Sequence, residues 1–284
     1  MTISFISLVE SINKAYRLIK PRREDLDIFK ANFTKLLGHI DEKETEENVK
    51  GHLADFLKST YYDPNHLIAT KGRADLVIHL EKEAKSHVGV LFEVKKPSNK
   101  LDMVTKDNLN TKAMHELILY FLRERVNHKN ISLTHLVITN IYEWFVFDAS
   151  LFERVFAKNS QLQKAYKEWE AGQKVSVKTE LFFNEIAKPF LHELQEELIF
   201  THVDIREYLK YLKANKEKDD SKPILLYKFF SPVNLLKPPF INDSNSLDTG
   251  FFKELLHIIG LEEVRMVVEK SFNDYHSKRD NQPR

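Results

Sequence analysis

The chain has 284 residues, 42% of them hydrophobic, enough for one or two domains with a sizeable core. Its 43 Lys and Arg stand against 42 Asp and Glu, a net charge of +1 that excludes a polybasic arm but not a local basic groove. The absence of cysteine excludes disulfides and thiolate metal sites and suits a reducing cytoplasm, and no run approaches the ~18 apolar residues of a membrane span. Twenty Phe and ten Tyr point to an aromatic-rich core.

From the N-terminus, "MTISFISLVESINKAYRLIKPRRE" carries Glu10 within its apolar stretch and lacks a cleavage-site pattern, so it reads as an amphipathic helix rather than a signal peptide. Phe5, Leu8, Val9, Ile12, Ala15 and Tyr16 share one face of a helix over about 4–20, and Pro21 ends it. A second helix is predicted over about 23–38. A third covers about 45–59, with Thr45 as N-cap and acids in its first turn. Asp63-Pro64-Asn65 is a turn.

The period then changes. "ADLVIHL" (74–80) and "HVGVLFEV" (87–94) read as strands, and Pro97 ends the second. Residues 109–127 form a strong amphipathic helix, and 133–140 and 142–149 two more strands. The order predicts an α/β core over about 45–150. It is preceded by N-terminal helices over 1–44 and followed by a mainly helical extension over 151–215. Residues 216–284 read as linker and connector: "KANKEKDDSKP" (213–223) is charged, 224–250 is rich in loop formers, and a last helix starts near Asp248 or Thr249.

The strand "GVLFEVKKPSN" (89–99) carries a carboxylate, Glu93, and an ammonium, Lys95, two residues apart. A strand built only for packing would avoid both, because an unpaired buried charge is costly. Alternation puts Glu93 and Lys95 on one face and Val90, Phe92 and Val94 on the other. If the strand pairs with the one that begins near Asp75, the two carboxylates and the lysine crowd together. Like charges at short range resist joint ionisation, and a divalent cation relieves the conflict; oxygen ligands suit Mg²⁺.

Asp75, seventeen residues, then Glu93-Val94-Lys95 resembles the PD-(D/E)xK nuclease motif, with Ala74 standing where the motif has proline. "VKGHLADFLKSTYY", "KGRADLVIH", "KAMHELILYFLRER", "HLVITNIYEWFVFDA" and "HIIGLEEV" extend the likeness. In this order, over most of residues 25–265, they resemble the N-terminal region of type IIG restriction enzymes, which join a nuclease to a DNA methyltransferase in one chain. The resemblance implies a restriction-endonuclease-like core, a mixed central β-sheet flanked by helices, and Mg²⁺-dependent hydrolysis of phosphodiester bonds in double-stranded DNA. It implies Asp75, Glu93 and the Val94 carbonyl as metal ligands and Lys95 as the cation that orients water and offsets charge on the phosphorane-like transition state. A further acid on the preceding helix is implied. Glu46 is favoured over Glu47, because it shares a face with Val49, Leu53 and Phe56.

Arg73, Lys96, Lys100 and Lys112 are the candidates for DNA-backbone contact. In the helix over 109–127, His115, Glu116, Lys112 and Tyr120 read as a solvated face. His79 and His87 read as surface residues and Trp144 as core. A Gly-rich cofactor turn and an Asn-Pro-Pro-Tyr-type loop are both missing; "LKPPF" (236–240) lacks the Asn and the Tyr. S-adenosylmethionine therefore belongs only to a full-length enzyme, with methyltransferase and target-recognition domains supplied in the same or a partner chain. The expectation is a cytoplasmic nuclease domain with a helical connector, either a fragment or a separate subunit. The rival reading is a non-catalytic DNA-binding or methyltransferase-docking module on a degenerate nuclease fold.

Overall fold

The structure, a computed structural model, describes residues 2–41, 43–72, 74–172, 179–213, 221–237 and 255–259. The chain divides into two units, 1–239 and 240–284, and only 255–259 of the second are described.

The first unit opens with strand β1 (Thr2–Ile6) and two short helices, α1 (Leu8–Ser11) and α2 (Lys14–Leu18). The single helix expected over 4–20 is thus replaced by three elements. Two caps account for the interruption: Ser7 and Glu10 form a reciprocal capping box at α1, and Asn13 accepts from the Tyr16 N–H at α2. Helix α3 (Arg23–His39) carries Glu24 and Asp25 in its first turn and buries Leu26, Phe29, Phe33 and Leu36 at helical spacing. Helix α4 (Glu46–Leu57) starts at Thr45, whose hydroxyl accepts from the Asn48 N–H at 3.2 Å, and a π-type turn over Lys58–Tyr62 continues it.

Strands β2 (Ile68–Lys71), β3 (Ala74–His79) and β4 (Val88–Val94) follow, then α5 (Lys112–Leu122), β5 (His135–Thr139) and β6 (Glu143–Asp148). Beyond them come α6 (Ala149–Phe152), α7 (Ser160–Gly172), α8 (Thr179–Leu181), α9 (Lys188–Glu193), β7 (Glu197–Asp204), α10 (Leu209–Leu212), α11 (Ser221–Phe230) and α12 (Pro232–Leu235).

The seven described strands form one mixed sheet in the order β1-β7-β6-β5-β4-β3-β2. The pairs β1/β7 and β4/β5 are parallel and the others antiparallel. Helices cover both faces, so the chain has the α/β architecture expected from its sequence. On one face α5, α6, α7 and α9 pack on Val77, Leu91, Leu136 and Phe147. On the other, α3, α4 and α11 pack on Leu76, Val90, Phe92 and Val137, with Trp144 buried among them.

The sheet reaches past the predicted core of 45–150, because β1 joins from the N-terminal segment and β7 from the segment expected to be helical. Most of the predicted linker and the start of the last helix lie outside the described residues. Within 224–250, expected to be loop-rich, α11 packs in the core through Leu226, Phe229 and Phe230.

The second core is aromatic. Phe33 is fully buried, with ring centroids 5.5 Å from Phe29, 5.0 Å from Phe56 and 5.6 Å from Phe230. It therefore ties α3, α4 and α11 together. Phe33→Ala should lower unfolding stability by about 3–5 kcal/mol. Urea unfolding followed by circular dichroism measures it, and a loss below about 1 kcal/mol would contradict this packing.

Candidate active site

The C-terminal ends of β4 and β5 and the N-terminal ends of β3 and β6 lie at one end of the sheet. The β3/β4 register runs Leu76 opposite Phe92 and Val77 opposite Leu91, which brings Asp75 to the level of Glu93. The Val94 N–H donates to Asp75 Oδ2 at 2.8 Å, so the side chain of one strand is pinned to the backbone of the next.

Glu93 is 1% exposed, and one of its oxygens, Oε2, is buried without a hydrogen-bond partner. Its other oxygen meets Lys95 Nζ at 2.5 Å. Burial pushes the Glu93 carboxyl well above the usual carboxylate range, and the negative charge of Asp75 adds to it; Lys95 pulls the other way without winning, and Glu116 pushes further up. Lys95 also reaches Glu116 on α5 at 2.7 Å and Glu46 on α4 at 3.8 Å. Burial works against its charge, but Glu93 and Glu116 outweigh that and hold the ammonium well above its ordinary value. Lys95 is therefore a fixed cation here and no proton acceptor.

A second lysine enters from α4. Lys50 Nζ lies 2.6 Å from Asp75 Oδ1 and 3.7 Å from Glu46. Burial lowers the Lys50 ammonium, but the hydrogen bond and charge of Asp75 raise it further, leaving a net upward shift. Helix α5 adds Tyr120, one turn beyond Glu116; burial and then the charges of Glu93, Glu116 and Asp75 push its phenol far up.

Four carboxyl groups, Asp75, Glu93, Glu46 and Glu116, thus face two lysine amino groups, with the buried Glu93 at the centre. Among the described residues no three His, Cys, Asp or Glu side chains are grouped to hold a metal by themselves. Mg²⁺ asks for less than that: it is held through one or two carboxylates and keeps water or substrate oxygens at its other positions. Asp75 and Glu93, with the orphaned Glu93 oxygen, are a hard-oxygen donor set that fits this requirement.

Of the residues singled out in the sequence, Asp75, Glu93, Lys95 and Glu46 converge, while the Glu47 side chain is 79% exposed. Lys96 is half-buried, Lys100 and Lys112 are exposed, and Arg73 lies outside the described residues. Three other expectations are corrected. Glu116 and Tyr120 belong to the cluster, not to a solvated face, because α5 is buried almost all round against the sheet. His115 is buried and bonds Asn110 through Nε2 at 2.7 Å; burial, then Lys188, pushes its imidazolium down to about 4. His79, expected at the surface, is 3% exposed and bonds the Ser86 carbonyl through Nδ1 at 2.8 Å, whereas His87 is exposed.

Residues 6–243 match the profile of a domain of unknown function, DUF7149. The chain belongs to the DUF7149 family. No curated protein and no solved structure matches it. The match in this DUF7149 chain spans all four carboxylates and both lysines of the cluster.

The raised Glu93 carboxyl fixes the sign of a pH effect. A carboxyl that holds its proton more tightly when folded makes the fold less stable as pH climbs from the ordinary carboxylate range through the folded value. Glu93→Gln should therefore melt above the parent at pH 7–8, and the gap should shrink as the pH is lowered toward the carboxylate range. Melting curves of both proteins across that range test it; a variant less stable at every pH would mean that the Lys95 pairing outweighs the burial.

Proposed function

We propose that this chain is a metal-dependent DNA endonuclease domain of the restriction type, hydrolysing phosphodiester bonds within a type IIG restriction-modification system. The observation that supports it most is the convergence of Asp75, Glu93 and Lys95 at one sheet end, with a buried Glu93 oxygen unpartnered. The PD-(D/E)xK resemblance, which prompted the choice of these three residues, supports the same reading.

In this reading Asp75 and Glu93, with the Val94 carbonyl, would hold Mg²⁺. When bound, the ion would polarise the scissile phosphate and lower the pKa of a water. Lys95, kept charged by Glu93 and Glu116, offsets negative charge developing on the phosphate and orients the water. Glu116 and Glu46 position that ammonium. Lys50 holds Asp75 at 2.6 Å and would compete with an ion for that carboxylate. The partners are double-stranded DNA and methyltransferase and target-recognition domains, in a cytoplasmic setting. No described helix is long and apolar enough to cross a membrane.

The Lys50–Asp75 and Lys95–Glu93 pairs also favour a second reading, in which protein cations permanently satisfy the carboxylates and the domain only binds DNA or docks a methyltransferase. Metal dependence separates the two. Mg²⁺ or Mn²⁺ should support plasmid nicking, Ca²⁺ should bind but support it poorly, and Asp75→Asn, Glu93→Gln and Lys95→Ala should each lower the rate about 10²-fold or more. Parent-like cleavage by any folded variant would sink the assignment; calorimetry without metal binding would favour the docking module.

Affinity in this reading comes from phosphate contacts, which carry no sequence information. Replacing exposed Lys100 or Lys112 by Ala should then weaken binding equally on all sequences and lower the log-log salt slope by about 1. Titrations of randomised duplexes at several salt concentrations measure it, and selective loss on one sequence would make that lysine a base reader.

A further inference from the structure

Beside the carboxylate cluster lies an open pocket of about 620 Å³, within the range of small-ligand sites. Its buried lining residues include Ala74, Leu91 and Tyr120. Each leads to the cluster: Ala74 precedes Asp75, Leu91 lies two residues before Glu93 on β4, and Tyr120 feels the charges of Glu93, Glu116 and Asp75. Its walls come from the π-type turn Arg123–Asn127 that follows α5, through Arg123 and Asn127, and from α7, through Glu170.

The wall chemistry is selective. Lys71 is paired with Glu124 at 2.6 Å, and the lining matches its lysine and arginine with two carboxylates, Glu124 and Glu170, so no surplus of cations invites a phosphate. The Arg123 guanidinium lies 5.8 Å from the Trp169 ring centroid. Glu170 accepts from Asn127 Nδ2 at 3.2 Å through one oxygen, while the other is buried without a partner. An apolar lining with an aromatic ring, a planar cation, an amide and a free acceptor matches a flat, neutral, hydrogen-bonding ring. Unpaired bases are held in this way, stacked on aromatic or guanidinium planes with their edges hydrogen-bonded.

Accordingly, we propose that this pocket takes one unpaired nucleobase of the nucleic-acid strand whose phosphate lies at the Asp75–Glu93 site. The location of that phosphate rests on the nuclease reading; the pocket's preference for a base does not. The substrate class is then a strand with an unpaired or extruded nucleotide at the cut, since a paired base stays in its stack.

The test is fluorescence-anisotropy binding of the full chain, without divalent cation, to three duplexes of one sequence: fully paired, with one central unpaired adenine, and with an unpaired abasic residue in its place. The unpaired adenine should bind about 5- to 150-fold more tightly than either control, the span expected for one stacked base. Arg123→Met and Asn127→Ala, checked for parent-like circular dichroism, should erase that preference and leave binding of the paired duplex unchanged. Equal binding of adenine and abasic duplexes, no binding of any duplex, or a preference that survives both variants would overturn the proposal. Because no metal is present, a base preference without cleavage in the plasmid assay would sink only the nuclease reading, and cleavage without a base preference only this one.

Discussion

A carboxylate held almost wholly out of water, that of Glu93, is the constraint on which the site depends. It sits near the end of a central strand with neighbours on both edges and helices on both faces, so solvent cannot reach it. An isolated charge there would be prohibitive, and the cluster is the fold's response. Lys95 closes on one oxygen, and its ammonium, itself buried, draws in Glu116 and Glu46. Asp75, held by the Val94 N–H and by Lys50, completes a network in which every ion is partly neutralised and one acceptor is left over. Such a network is weak evidence for stability, because burying ions costs much of what their attraction returns.

The way the helices arrive matters as much as the strands. Helices α4 and α5 cover opposite faces of the sheet, yet Glu46 and Glu116 reach the same ammonium. They can do so because Lys95 lies just past the end of β4, where the sheet no longer separates the two layers. The site is therefore assembled from two strands and two helices whose own side chains are locked in two separate cores, the kind of rigid support that a chemical site needs.

Much of this was legible in the sequence. The strands β3 to β6 and helices α3 to α5 carry strong periodicities, and the two-residue offset of Glu93 and Lys95 announced a shared face. The Val49, Leu53 and Phe56 spacing placed Glu46 toward the interior and Glu47 away from it. The misses have physical causes. In "TISFISLVESINKAYRLI" apolar residues recur at both strand and helix intervals; the Thr2–Ile6 half is decided by pairing with β7, which no local window contains. Glu116 and His115 looked solvated because polar residues on an amphipathic helix usually are. Only the packing of α5 against sheet and neighbouring helices shows that these two side chains are enclosed. Lys50 gave no signal of its own, since an i, i+4 pairing with Glu46 is what an ordinary surface helix would also show.

The pairing of Thr2 with Glu197 has a consequence for how the molecule is made. The first strand leaves the ribosome long before the strand it lies against, and α11, which the α3 aromatics pack on, emerges later still. A nascent chain can order the β3–β4 hairpin and α5 early, but β6 keeps an open edge and β1 stays without a partner until β7 has been synthesised. Loop closure over so long a separation is slow, and an unpaired edge invites association with other chains. Contact order thus makes the first unit a late folder: its apolar N-terminal strand is the piece most in need of shelter during translation, and truncation before β7 would yield an aggregation-prone product rather than a smaller working domain.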